Sequence, residues 1–569
     1  MAIPSNDLRA LLAEEISALT GNARLRSGLP LPPEDPDIAR IIEALAFFSA
    51  KTRAVAESST YSAVKRIAGA SLDDLLCPMP AMTLLKAVPD ERILKAVRLA
   101  QGTPIRLAAP ESQMRNPRLL LAAPAHEAMD EHVALFTTIA PLEVLPVKLQ
   151  RAGISIPRDG KRRLEIRLQA RGPLVPAPRS IDLYVNRFGD YRASLALHVA
   201  LDSHCVRSYT VFDEPTVNES STRIACTRGF DGPWPERGDE RPPLFRTRAF
   251  DPSPLFQLRS FFHFPQQSLY IRVTFPEPKP WTTATLCFEL NEDWPDDLAV
   301  DNNTFELFVV PAINLLPAPA QEIIVDGTKD RYAIRSATPE GATTLHGVIG
   351  VYSLSDAGLT AVPPMSLLDV GDAYEIDDNG ATKSLCMRAE NAFAAPRKIN
   401  VDALWYDPSF SSIEPVRLEA TLWKQRLEGV KLGVLGALEP ARPSYLAGDA
   451  ERCLMVLSLK AQGALAREDL VAILRLLGAR DESPYAGLPA KIAQVAVRRV
   501  PDLTRGASGL NRRYDIELRY GDEADAPLLT RFRDRIRDLL DAWTQQKVKV
   551  ETVLKVVPGI ELILRGSAL

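Results

Sequence analysis

The spacing of apolar residues changes twice along this 569-residue chain, and each change marks a different kind of structure. Near the start, Leu8, Leu11, Leu12, Ile16 and Leu19 recur at helical spacing behind Ser5, a residue suited to cap a helix, and the pattern ends near Gly21. A second helix is signalled by Asp35, with Pro36 in the first helical position and Asp37 in the first turn. Its apolar stripe is Ile38, Ile41, Ile42, Leu45, Phe48 and Val55, and Leu72, Leu75 and Leu76 follow. Residues 1–87 therefore predict a helical region, whose apolar faces exceed what so short a piece can bury against itself. Part of that surface is expected to meet another domain or another chain.

From about residue 88 the period shortens to two. Leu164 to Leu168, Ser180 to Val185, Ala193 to Leu201 and Leu269 to Phe275 alternate as strands do. Proline-dense connections at 173–178, 233–243 and 276–280 separate them, and alternation resumes at Gln321 to Val325, Arg331 to Arg335 and Val348 to Leu354. Two β-rich modules, 88–315 and 316–447, are expected. In the last stretch, 448–569, the pattern reads as a strand at Cys453 to Leu459, a helix near Arg467 to Leu477, strands at Ile492 to Val500 and Tyr514 to Tyr520, a helix at Pro527 to Trp543 and a strand at Val548 to Val557. That βαββαβ order predicts a ferredoxin-like domain with two helices on one face of an antiparallel sheet. The fold class expected for the whole is multidomain α+β.

Composition narrows the function. Lys plus Arg (68) nearly balances Asp plus Glu (72), so no global field draws the chain to nucleic acid or anionic lipid. The first 21 residues carry Asp7, Glu14 and Glu15 where a secretory signal needs a basic start and an unbroken apolar run. The most apolar run, 307–320, is broken by Pro311, Asn314, Pro317 and Pro319 and predicts no membrane span. Six widely separated cysteines argue against a disulfide framework or a zinc site. A cytoplasmic protein with reduced thiols is expected.

No constellation meets the spacing that catalysis or metal binding requires. His126 and His132 are six residues apart where a zinc-protease helix needs four, which sets them about 120° apart around a helix axis. His198, His204 and Cys205 lie in or beside the 193–201 run, and with Cys226 they read as core positions. Lys431 precedes the last two glycines of Gly429 to Gly436, so that run is no phosphate loop, and Gly506 to Gly509 lacks the nucleophile-elbow spacing. Asp213-Glu214, Asp296-Asp297 and Asp377-Asp378 sit beside Pro, Gly or Asn and read as turns. Arg531, Arg533, Arg535 and Arg537 have Asp534, Asp538 and Asp541 as helix neighbours, which predicts a salt-bridged face. Together with Arg498, Arg499, Arg512 and Arg513 they supply the alternative reading, a nucleic-acid-binding protein with a C-terminal arginine patch, although no aromatic residues interleave them. Catalytic, cofactor-binding and metal residues are therefore expected to be none, and the chain is expected not to be an enzyme.

Three segments carry a family resemblance. Asp35, Pro36, Arg40, Glu43, Ala46, Phe47 and Ala50 match each named letter of DPxxxRxxExxAFxxA, a pattern that resembles the N-terminal signature of the TssF family of type VI secretion baseplate proteins. Leu258 to Pro265 is similar to that family's LxxYFxFP stretch, with Phe261 in place of Tyr. Pro311 to Leu316 and the following Ile323 to Tyr332 resemble its TPVVNLF stretch, next strand and Tyr. The tyrosine-rich opening of the family is replaced here by Leu8 to Ile16, and no EFP follows Arg53. The resemblance implies a scaffold: two copies of the chain with one TssG form a wedge, met by TssK, TssE and the VgrG spike hub, beneath a sheath of TssB and TssC, on a baseplate docked at the inner membrane. It implies no catalysis, no cofactor, no nucleic acid and no direct membrane insertion. Ile38, Ile41, Ile42, Leu45 and Phe48 are the expected partner-binding residues.

Overall fold

A computed structural model describes residues 5–27, 36–108, 133–156, 160–214, 217, 221–230, 253–338, 344–355, 358–365, 371–378, 383–389, 392–408, 410, 418–425, 427–446, 449–480, 482–501, 510–519, 525–544 and 548–557. The His126 to His132 segment, the prolines of 233–243 and the Gly506 to Gly509 turn lie outside these residues.

Two helices open the chain, α1 (Ser5–Ser27) and α2 (Pro36–Leu76), and they pack on each other. At about 1.5 Å per residue α2 spans roughly 60 Å and outruns its partner. Helical geometry breaks at Leu72 (φ −130°, ψ 16°), which re-aims the last turn into the body of the protein. Beyond it Leu72, Leu75, Leu76, Met79, Ala81 and Met82 are all buried in the main core.

That core is built around a closed six-stranded barrel in the order Met82–Pro89, Val309–Ile313, Val133–Thr138, Pro104–Ala108, Glu419–Leu422 and Val430–Glu439. Met82 pairs with Ile313 on one side and Leu85 with Val434 on the other, so segments hundreds of residues apart close the ring. Two antiparallel sheets lie beside it. One runs Ile224–Ala225, Cys205–Phe212, Thr283–Leu290, Arg163–Ala170, Val147–Ser155, and the other Thr227–Gly229, Tyr270–Thr274, Ser180–Val185, Phe305–Leu307. A second core, centred on Trp405, Val401, Ile399 and Leu385, sits in a module made of a sheet ordered Leu316–Pro319, Arg397–Tyr406, Thr344–Ser355, Gly358–Val362 and a smaller one ordered Arg331–Ala333, Lys383–Arg388, Ala373–Asp378.

Two segments expected as strands are helices. Ala193 to Leu201 belongs to α3 (Tyr191–His204), started by Asp190, whose carboxylate accepts from the Ala193 amide at 2.7 Å. Tyr191, Ser194, Leu195, Leu197, His198 and Leu201 are buried. Short apolar runs do not separate the two periods, and the cap and the length decide for helix. A fourth helix, α4 (Pro254–His263), carries the Phe261-Phe262 pair behind a Ser253 cap. Cys453 to Leu459 likewise lies in α5 (Ala450–Gln462), capped by Asp449 and ended by the left-handed Gly463 at φ 67°.

With α6 (Arg467–Leu477) and α7 (Ala526–Trp543), the C-terminal order becomes ααββαβ. Its sheet has three strands, Ile492–Pro501, Leu510–Arg519 and Val548–Val557, and the last two run parallel. The ferredoxin-like expectation is thus corrected, because the apolar segment needed for the first strand is spent on a capped helix. The later elements fall where the periodicity put them, and the mixed α+β, β-rich class stands.

Candidate assembly interface

Helix α2 reverses the usual placement of side chains. Ala46 and Ala50, one turn apart on α2, are wholly buried and Ala54 nearly so. Small residues let a neighbouring helix approach closely but bury little area. On the other side of α2, Ile41 is 60% exposed, Leu45 55% and Phe48 66%, at the i, i+4, i+7 spacing of one face. Phe47 (42%) and, further along, Ile67 (63%) are also open. Phe47 and Phe48 touch edge to face with ring centroids 6.0 Å apart. A groove of about 490 Å³ is lined by Leu12, Ile16, Ala44 and the two phenylalanines together with Arg40 and Glu43.

Of the residues expected to bind a partner, Ile41, Leu45 and Phe48 are therefore solvent-facing and Ile42 is half-buried, while the Ile38 side chain lies outside those described. Sequence reasoning passed over Phe47, although it stands in the DPxxxRxxExxAFxxA pattern, and Ile67, which no periodic run singled out. The two helices are further joined by Ser49 donating to Glu15 at 2.9 Å and by Arg53, which lies 3.4 Å from Glu14 and 3.6 Å from Glu15. These contacts are exposed and contribute little.

The foot of the hairpin is built differently. A helix leaves its last carbonyls without partners, and α4 supplies one group that fills that need. Arg259 Nη1 donates to the Asp74 carbonyl at 2.6 Å and to the Cys77 carbonyl at 2.5 Å, as a cation at a helix C-terminus should. Ser253, the α4 cap, bonds the Asp74 carboxylate, and Ser444 donates to the Leu75 carbonyl at 2.7 Å. His263 and His346 hold the Pro80 and Pro78 carbonyls, each at 3.0 Å. Burial raises the Asp74 pKa despite Ser253 and Arg259. It also lowers that of His263 to about 3, with Arg442 contributing, so the ring is neutral.

The second motif segment is interior, and the third is buried over Pro311 to Leu316 but exposes Ile324. Phe261, Phe262 and Phe264 are buried; the Phe261 ring meets Tyr485 at 5.2 Å and the Arg535 guanidinium at 4.8 Å, and Phe262 meets Phe532 at 6.4 Å. Tyr191 and Tyr485 share a buried hydroxyl–hydroxyl bond of 2.6 Å. His198, on α3 and in no strand, donates from Nε2 to the Tyr270 carbonyl at 2.9 Å and accepts from Arg531 on Nδ1 at 2.8 Å. Burial first and Arg531 second push its pKa down to about 3. Asn314 is buried in the third motif, and its side-chain oxygen accepts from the Asp407 amide at 2.8 Å.

The remaining candidates resolve into structure. None of the six cysteines is in a disulfide, and Cys205, Cys226, Cys287 and Cys453 are buried. Among the described residues no cluster of metal-ligating side chains occurs, and no helix is long and apolar enough to cross a membrane. Asp213 accepts the Thr282 and Thr283 amides at 2.7 and 2.9 Å in a turn, and Asp296 pairs with Arg162 at 2.7 Å. Asp377 ends a strand instead of forming a turn and pairs with Arg331. The C-terminal arginines are engaged: Arg535 with Asp538, Arg533 and Arg537 with Asp534, Arg531 with His198. Arg498 and Arg513 flank Asp515, and Arg512 bonds the Gly463 carbonyl. Among the described residues these arginines form the expected salt-bridged face, and Arg499 beside them stands exposed.

No curated protein matches the chain. Among solved structures, a chain of a type VI secretion system TssK-TssF-TssG baseplate subcomplex, determined by cryo-electron microscopy, superposes with a TM-score of 0.65 at 16% identity, covering 91% of this chain and 96% of that one. A chain from a baseplate complex of the type VI secretion system gives a TM-score of 0.58 at 13% identity, with 96% of each covered. At these identities the likeness is one of fold. The family profile described as "Type VI secretion system, TssF" matches residues 12–380, which contain all three motif segments, and the chain belongs to the TssF family.

Proposed function

We propose that the chain is a structural wedge subunit of a type VI secretion baseplate, in which two copies join one TssG through the open face of α2. The wedge carries TssK, TssE and the VgrG hub as neighbours and the TssB–TssC sheath above it, on the cytoplasmic side of the inner membrane, and it catalyses no reaction. One observation carries this reading: the 36–50 part of the first motif segment turns four large apolar side chains outward, Ile41, Leu45, Phe47 and Phe48, whereas the second segment buries its own and the third exposes one, Ile324. Such a face is costly for a monomer and typical of the apolar centre of a permanent interface. The membership in the TssF family and the fold shared with chains of baseplate complexes support the same assembly.

Co-expression with a TssG partner tests the reading. Light scattering is expected to give a complex of two copies to one TssG. A stable monomer that does not retain TssG would overturn the proposal.

A further inference from the structure

An edge strand carries a row of outward N–H and C=O groups and is a template for a further strand unless something blunts it. The strand Gly358–Val362 is such an edge: among the described residues it pairs on one side alone, with Thr344–Ser355. Its five residues, Gly-Leu-Thr-Ala-Val, hold neither a charge nor a proline. Every other described edge strand of four residues or more, Val147–Ser155, Leu316–Pro319, Ala373–Asp378, Ile492–Pro501 and Val548–Val557, carries one or the other. The edges of three residues or fewer are blunted by their shortness, and the barrel has none. One edge is thus left open in a chain that protects the rest.

Leu359 is 60% exposed, and Thr360 and Ala361 are exposed beside it. Register carries the apolar character inward from the edge. Leu359 pairs with Leu354, Leu354 with Lys398 and Lys398 with Ile324, so one row crosses four strands on the face turned away from the Trp405 core. Leu354 and Ile324 are open as well, and the Lys398 ammonium is held by Glu322 at 3.2 Å. Thr360 belongs to the other face, in a row with Ser353 and the buried Ile399.

We propose that this edge pairs with the same edge of a second copy of the chain, antiparallel about Thr360. A two-fold axis there sets Thr360 against Thr360 and Leu359 against Ala361, a large residue against a small one, and joins the two sheets into one. The facing threonines extend the hydroxyl row that Ser353 begins, and no like charges meet. The row of Leu354 and Leu359 runs on to Ala361 and Tyr352 of the second copy. Any strand can use the backbone groups; the self-complementary side chains select a second copy. So short a strand buries little area, and the pair is weak in the isolated chain.

Sedimentation equilibrium of the full chain alone tests this, in a series reaching about 100 μM. No TssG is present, so the outcome does not depend on the reading of the α2 face. A reversible dimer is expected. Thr360→Lys and Thr360→Glu should each weaken it at least about tenfold, since each sets like charges against one another across the axis, and mixing the two variants should restore a dimer. Circular dichroism checks folding, and Leu359→Lys with Leu359→Glu, whose copies meet diagonally across the axis, replaces the pair if either does not fold. A monomer throughout the series, a dimer that survives both substitutions, as association through the α2 face would give, or a mixture that stays monomeric would each overturn the proposal.

Discussion

Helices α2 and α7 use the same residue types in opposite ways. On α7, Leu528, Leu529, Phe532, Ile536, Leu539, Leu540 and Trp543 all turn inward, Arg531 and Arg535 reach His198 and the Phe261 ring, and Arg537 and Asp538 lie on the open side. Lys460 of α5 then seals its end, donating to the Ala542 and Trp543 carbonyls at 3.2 and 2.9 Å with its ammonium 4.9 Å from the Trp543 ring. On α2, alanines turn inward and the isoleucine, leucine and phenylalanines turn out. One helix is finished by its own chain; the other carries an apolar face that the described residues leave open and that we propose a further chain covers. A periodic apolar stripe marks a surface that must be buried, but not the molecule that buries it.

The largest expected effect separates two phenylalanines. Phe532→Ala opens a cavity in the aromatic cluster with Phe262 and Tyr485 and is expected to cost about 3–5 kcal/mol, whereas Phe48→Ala on α2 is expected to stay within about 0.5 kcal/mol in the isolated chain. Urea denaturation of both variants measures the contrast, and equal losses would break it.

Acid comes next. His198 and His263 are held neutral in the fold with pKa values lowered to about 3, against about 6.5 when unfolded. Their stabilisation is complete above pH about 6.5 and is lost as pH falls toward 3, because the unfolded chain takes up the protons first. Each ring is expected to remove about 2 kcal/mol between pH 6.5 and 5, at about 1.4 kcal/mol per pH unit. The loss should register in hydrogen exchange of α3, α4 and α7, and His198→Gln should make the pH dependence shallower.

Arg259→Gln is expected to cost about 1.5–2 kcal/mol, because it uncovers the Asp74 and Cys77 carbonyls at the foot of the hairpin. Faster amide exchange confined to 72–80 would place the loss there. Arg537→Ala, which removes an exposed contact 3.6 Å from Asp534, is expected to change stability by no more than about 0.3 kcal/mol.

The start of α2 was legible because Asp35-Pro36-Asp37 is a local signal, and α6, α7 and the last three strands because their patterns are long. The open face of α2 was legible as an excess of apolar surface for so short a region. Ala193 to Leu201 and Cys453 to Leu459 were misread because short apolar runs carry both periods, and the deciding groups, Asp190 and Asp449, lie outside the runs. The barrel could not be read at all, since its closure depends on Leu85 finding Val434, a pairing with no local trace. The roles of Arg259 and Arg531 were hidden for the same reason: their partners, Asp74, Cys77 and His198, are remote in the chain.

The account rests on α2 being folded by its own chain and covered by another. The direct test is the double variant Ile41→Asp with Leu45→Asp, assayed together for TssG retention and for its circular dichroism melt. Loss of TssG with a melt like that of the unaltered chain is the expected result. Full retention of TssG, or a melt that collapses along with the complex, would contradict it and return these residues to the protein's own core.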